Sequence, residues 1–261
     1  MRCEVLIDPE MAKRGARMLD AMIAAAPMPV RVGKHYKGGT ELLMVYGTGH
    51  PVRRQHWMQH KEAGGRVIGW DLGYWNREQQ TMRLTIDHDH PQALIRPEDP
   101  GRFATSGIVL RDDSKAAGRV LIVGMSAKAN RANRIGRNQW ESRAARLAKL
   151  DFPDRQIVFK TKRDTDPPLP AFQTLRGPIE DALRGASLVI CRHSNVAVDA
   201  CIAGVPVRCE DGAAYALYGK KKPNPTAAER LCFLQSLAHW QYTPDEAALA
   251  WTHIIKKLKS T

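Results

Sequence analysis

A serine and an asparagine that follow an apolar run, with an aspartate four residues on, are the sharpest chemical feature of this sequence. Ser187–Cys191 is apolar and strand-like, Arg192-His193 follow, and Ser194-Asn195 open a helical stretch that runs to Ala203 and stops at Gly204. A helix that begins at the carboxyl end of a strand offers backbone N–H groups and the positive end of its dipole, both suited to a phosphate. The Ser194 hydroxyl adds a donor. Asn195 and Asp199 stand at i and i+4, so they share one helix face, and a carboxylate there can accept hydrogen bonds from a ribose diol. The same spacing also fits a plain capping serine and a surface aspartate.

General acid–base chemistry needs a carboxylate or a histidine at the carboxyl end of a strand or beyond it. Asp71 follows the strand-like Arg66–Trp70 and so stands at its carboxyl end, although an aspartate two residues before Gly73 also suits a turn. Asp87-His88-Asp89-His90 follow the extended Met82–Ile86, and Asp87 and His88 are the alternative bases. If that tetrad were strand, both aspartates would face one way and both histidines the other. Two histidines so spaced could begin a zinc site, but the sequence shows no third ligand, and a hydrogen-bonded loop is the simpler reading. Gly47-Thr48-Gly49 is too short for a dinucleotide fingerprint, and neither a Walker A run nor a G-x-S-x-G elbow occurs. A hydride-transfer enzyme is thereby disfavoured.

The elements that must position these residues alternate. In the first half, Cys3–Ile7 reads as strand, Glu10–Ala25 as helix, Leu42–Tyr46 as strand, Val52–Ala63 as helix and Arg66–Trp70 as strand. After a Pro-, Gly- and Asp-rich stretch, Arg96–Gly118, the pattern restarts. Arg119–Val123, Gln156–Lys160, Ser187–Cys191 and Val205–Cys209 read as strands, with helices over Gln139–Leu150, Pro178–Leu183, Ser194–Ala203, Glu229–Leu237 and Asp245–Leu258. Such alternation predicts an α/β protein of parallel, doubly wound sheets. With roughly 100–200 residues per domain, 261 residues predict two Rossmann-like halves, 1–110 and 111–261, facing a cleft.

Charge is unevenly spread. The chain holds 40 Lys and Arg against 27 Asp and Glu, and the stretch Arg119–Arg163 alone has 12 basic residues against 3 acidic ones. That concentration attracts phosphate, on a nucleotide or on a polynucleotide, unless it is only a solvated face. Tyr74 and Trp75, set between Arg66 and Arg77, could stack on bases; they could equally be core. Five scattered cysteines without a C-x-x-C pair point to a reducing compartment, the cytoplasm, and no apolar run approaches the roughly 20 residues of a membrane span.

The run Ser194-Asn195-x-x-x-Asp199-Ala200-x-x-x-Gly204-Val205-Pro206-Val207 resembles the donor-binding half of GT-B glycosyltransferases and of the sugar-nucleotide epimerases built on that fold. The resemblance covers residues 119–207, with Asp199 where glutamate is usual. It implies a nucleotide-sugar donor, a UDP-sugar, and no metal. On that reading the donor is held by His193, Ser194, Asn195 and Asp199, by Lys160 and Lys162 past a preceding strand, and by Ser126 and Lys128 past the first strand of this half. The segments Leu237–Glu246 and Asp71–Arg77 are similar to phage-encoded glycosyltransferases. They extend the expectation to sugar transfer onto 5-hydroxymethylpyrimidine in double-stranded DNA, within the host cytoplasm and without a membrane partner. The rival expectations are a non-catalytic α/β module that grips DNA or another polyanion, and a transferase acting on a surface glycan.

Overall fold

The apolar runs of the first half become β1 (Cys3–Leu6), β2 (Val30–Gly33), β3 (Leu42–Tyr46), β4 (Arg66–Leu72) and β5 (Met82–Ile86), with α1 (Lys13–Ala24) and α2 (Pro51–Glu62) between them. This is a computed structural model that describes residues 1–7, 11–47, 50–219 and 224–260, the side chains of Lys128 and Ala132 excepted. Strands β2, β1, β3 and β4 lie side by side in that order and run parallel. The α1 helix buries Met18, Leu19 and Met22, an i, i+1, i+4 stripe that serves as its sheet-facing side. Pro51 starts α2, where its missing N–H costs nothing. Trp57 of α2 is buried with Leu43, Val45 and Val67.

The second half contains α3 (Gly101–Ala104), β6 (Arg119–Val123), α4 (Ala127–Ala132), α5 (Gln139–Asp151), β7 (Ile157–Lys160), β8 (Gln173–Leu175), α6 (Ile179–Leu183), β9 (Ala186–Cys191), α7 (Val196–Ala203), β10 (Val207–Cys209), α8 (Tyr215–Tyr218) and α9 (Ala227–Ala238). Its sheet has the order β10-β9-β6-β7-β8, with every pairing parallel. Trp140, Ala145 and Ala148 of α5 pack on Val120, Ile122 and Phe159 of the sheet. Each large side chain taken fully out of water there contributes about 1.5–3 kcal/mol.

One expectation needs correction. The chain divides into Met1–Pro91 with Leu237–Thr261, and Gln92–Ser236, not at residue 110. The reason lies in the last segment, β11 (Gln241–Tyr242) and α10 (Ala247–Lys259). β11 pairs antiparallel with β5, Leu84 N donates to Trp240 O at 2.8 Å, and Trp251 Nε1 donates to Met22 O at 2.8 Å. Trp240, Tyr242 and Trp251 are all buried there, an aromatic load that fixes the segment to the first unit. The first sheet has the expected parallel form across β2-β1-β3-β4, and β5 and β11 extend it antiparallel beyond β4. No helix among the described residues is long and apolar enough to cross a membrane.

Candidate functional site

In the second unit the chain winds outward from β6 to β7 and β8, then returns to place β9 on the other side of β6. The connections after β6 and β9 therefore leave toward opposite faces, and an open parallel sheet binds ligands at the crevice between two such connections. Register puts Ile122 of β6 beside Ile190 of β9, and Val123 beside Lys160 of β7. One sheet edge thus gathers the turns that begin at Gly124, Thr161, Arg192 and Glu210. Among the expected donor residues, Ser126, Lys160, Lys162, His193, Ser194 and Asn195 all belong to this carboxyl edge.

The β9–α7 turn has the local form its residues dictate. Ser194 Oγ accepts from Val196 N at 3.2 Å, Ala197 N donates to Ser194 O, and Val198 N and Asp199 N donate to Asn195 O. Ser194 is thus a working cap, as the simpler reading of the spacing expects. The helix α7 is buried at Val196, Ala197, Val198, Ala200, Cys201 and Ala203, while Asn195, Asp199 and Ile202 stay partly exposed. That i, i+4, i+7 stripe is the face on which Asn195 and Asp199 stand together. Gly204 ends the helix at φ 75°, and a Cβ there would lie 2.3 Å from Arg111 O, so glycine is required. Burial pushes the Cys191 thiol, at the strand's end, up to about 12, which leaves it inert at neutral pH.

Neighbouring turns brace this one. Glu210 N and Asp211 N both donate to Arg192 O. Glu210 accepts from Trp140 Nε1 at 2.9 Å and lies 3.8 Å from both Arg143 and Arg192. Gly212, at φ 93°, lies so close to His193 that a Cβ would come 3.2 Å from its Cα. At the β6 turn, Ser126 Oγ caps α4 by accepting from Ala129 N at 3.1 Å, and buried Glu141 accepts from Met125 N at 2.8 Å. Sequence reasoning missed Glu141 and Glu210. Each has its partner 16 or 70 residues away in sequence. The one signal is at Glu141, an acid within the otherwise basic stretch Arg119–Arg163.

The lysines separate. Lys160 is buried, with Nζ donating to Thr161 O at 3.0 Å and Asp164 3.9 Å away. Lys162 is exposed and lines a cavity of about 290 Å³ beside the β6 turn. The side chain of Lys128 lies outside the described residues. A larger cavity of about 640 Å³ opens at the other edge of this sheet, beside Ser187, Val205 and Arg208, away from the turns just described.

In the first unit the candidate bases part company. Asp71 lies inside β4 rather than after it, opposite Arg83 of β5, with Arg83 Nη2 at 3.2 Å from Oδ2 and Leu72 N donating to Oδ1 at 2.7 Å. It remains about one-third exposed. The hydroxyl of Tyr46, on the neighbouring strand, has a raised pKa, from burial first and then from the Asp71 charge. Asp87 ends β5, and because β5 is antiparallel it emerges beside Val67, near the start of β4. Its carboxylate is held by Arg66 and by Val67 N at 2.7 Å, and its own φ is 58°. Asp71 and Asp87 thus sit near opposite ends of β4, about 13 Å apart at 3.3 Å per residue. His88 is exposed, Asp89 pairs with Arg54, and His90 is buried. The tetrad is a bend, not a strand, so the expected alternation does not apply. No group of three His, Cys, Asp or Glu able to hold a metal is found among the described residues.

Tyr74 and Trp75 are not available for base stacking: Tyr74 is fully buried, Trp75 is 5% exposed, and the backbone N–H of Tyr74 donates to Gln241 Oε1 at 2.8 Å. Thr48 and Gly49 of the glycine turn lie outside the described residues.

No family model matches the sequence, and no curated protein matches it. Among solved structures the chain is similar to the Thermosulfurimonas dismutans KpsC β-Kdo 2,7 transferase, at 13% identity and a TM-score of 0.56, over 97% of this chain and 99% of that one. It is also similar to the β-Kdo 2,4 transferase of KpsC from the same organism, at 12% identity and a TM-score of 0.55, over 92% and 91%. At such identity the likeness is one of fold, and the fold is the two-sheet α/β, GT-B-like architecture.

Proposed function

We propose that this protein is a glycosyltransferase that moves a sugar from a nucleotide-sugar donor to a hydroxyl acceptor. The observation that carries the reading is the β9–α7 turn at the crevice of the second sheet, with Asn195 and Asp199 on one partly exposed helix face. Ser194 and Asn195, with His193 beside them, take the donor diphosphate, and Asp199 takes the ribose. Ser126 and Lys162 serve the phosphate charge from neighbouring turns, and Lys128 joins them. The inward-turned Lys160 braces Thr161 and Asp164 and acts on the phosphates through its charge. Asp71, oriented by Arg83, is the general base, and the donor nucleotide is UDP.

The acceptor we propose is a glycan hydroxyl. The support is that the aromatic pair suited to DNA, Tyr74 and Trp75, is buried. Calorimetry with UDP tests the donor end. Asp199→Ala weakens binding about tenfold or more, the value of a lost charge-assisted hydrogen bond, without changing the unfolding midpoint. Absence of UDP binding to the wild type, with other nucleoside diphosphates equally inert, overturns the reading. Incubation with sugar nucleotides and either oligosaccharide or hydroxymethylated DNA, read by mass spectrometry, decides the acceptor. Sugar on the DNA alone would sink the glycan assignment.

A further inference from the structure

The cavity beside the β6 turn is cationic. Arg131, Arg137 and Lys162 line it, against the single carboxylate of Asp166, which already accepts from Arg163 N at 2.7 Å. These three cations come from the basic stretch Arg119–Arg163, and the chain brings them together from three places. Arg131 ends α4, Arg137 lies in the α4–α5 turn, where Arg134 and Asn138 take positive φ, and Lys162 follows β7. Like charges gathered around a concavity repel one another and focus a positive potential into it. An anion in the cavity relieves that repulsion.

A second observation is of another kind. Asn130 also lines the cavity, is more than nine-tenths buried, and its Oδ1 has no hydrogen-bond partner among the described residues. Buried amide oxygens are ordinarily paired, so one left over beside a cavity calls for a donor from outside the chain. Chloride or sulfate supplies no such donor at neutral pH, whereas a hydroxyl, on a sugar or on a protonated phosphate, does.

We propose that this cavity binds an anionic, hydroxylated group of the substrate, a sugar that carries a carboxylate or a phosphate. The anion lies between Arg131 and Arg137, with Lys162, which also serves the donor phosphates, adding its charge from the cavity wall, and a hydroxyl donates to Asn130 Oδ1. The inference rests on the carboxyl edge of this sheet being the substrate side. It adds that the sugar handled there is charged.

The test is binding to the full chain, measured by ligand-observed NMR or calorimetry with glucuronate, glucose 6-phosphate and glucose, and with UDP in parallel. Glucuronate or glucose 6-phosphate binds about tenfold or more tightly than glucose, and whichever binds better identifies the anion as carboxylate or phosphate. Arg137→Ala and Asn130→Asp each lower that affinity about tenfold, while UDP affinity and the thermal midpoint remain those of the wild type. Asn130→Asp keeps the side-chain volume, so it separates charge from shape. Equal binding of all three sugars overturns the proposal, as does anion binding that survives both variants. UDP binding without any sugar-anion binding overturns it and leaves the donor reading standing; loss of both removes both.

Discussion

At their carboxyl edges the two sheets differ, although each has a parallel portion joined by crossing helices. In the second unit each described pairing is parallel, so the turns after β6, β7, β9 and β10 all arrive at one edge. That edge carries a capped helix start, a cationic cavity and a partly exposed aspartate. In the first unit β5 turns back, so the chain beyond its last residue leaves at the edge opposite Asp71. The Asp71 end of β4 carries an ion pair, Asp71–Arg83. Strand direction, not distance along the chain, decides which residues can share a site. Cavity size does not decide it either, since the space of about 640 Å³ lies at the amino edge of the second sheet, remote from the β9–α7 turn.

The largest effect that would break or sharpen this contrast is expected at Asp71. Asp71→Asn keeps the shape and removes the base, so turnover falls about 10²–10⁴-fold while UDP affinity stays near wild type. Steady-state kinetics beside calorimetry separate the two quantities. Normal turnover in this variant would shift the base elsewhere and leave the first sheet's carboxyl edge without a chemical role.

Gly204→Ala tests the second unit's edge through its backbone. A left-handed conformation costs a residue with a side chain about 1–3 kcal/mol, and the Cβ would also strike Arg111 O. Urea unfolding is expected to show a loss of about 3 kcal/mol or more, and UDP binding falls with the fraction folded. A variant as stable as the wild type would mean that the α7 end adopts another conformation.

Asp87→Asn is expected to act on stability and not on chemistry. It loosens Arg66 and the Val67 N–H, which costs about 1–3 kcal/mol by denaturant unfolding, with kcat of the folded fraction unchanged. A dead enzyme of normal stability would reverse the assignment of Asp71 and Asp87.

The smallest effect is a pH slope. Burial holds the His60 imidazole below its ordinary value of 6.5, so the unfolded chain takes up a proton that the folded chain refuses. Stability is therefore unaffected by this group above the unfolded value and falls as pH drops through it toward the lower folded value. Urea midpoints at about pH 7.5 and about pH 5.5 should differ less in His60→Gln than in the wild type. An identical slope in both would assign the acid sensitivity to other groups.

What the chain determined by itself is what local periodicity carries. The β6–α5–β7 and β9–α7–β10 alternations are legible because each strand is short and apolar, α5 has a 3.6-residue stripe, and α7 is an apolar run stopped by Gly204. The pairing of Asn195 with Asp199 on one face follows from i, i+4 geometry alone, and Gly204 marks the stop because glycine enters the left-handed backbone at least cost. Tertiary structure decided the rest. A two-residue strand such as β11 has no period to read, and its place beside β5 depends on a partner about 160 residues earlier in sequence. The same packing turned Tyr74 and Trp75 inward, and the reversal of β5 sent Asp87 away from Asp71. The cationic cavity likewise arises from three separate turns. No single window of sequence contains it, because long-range contacts bring Arg131, Arg137 and Lys162 around one space.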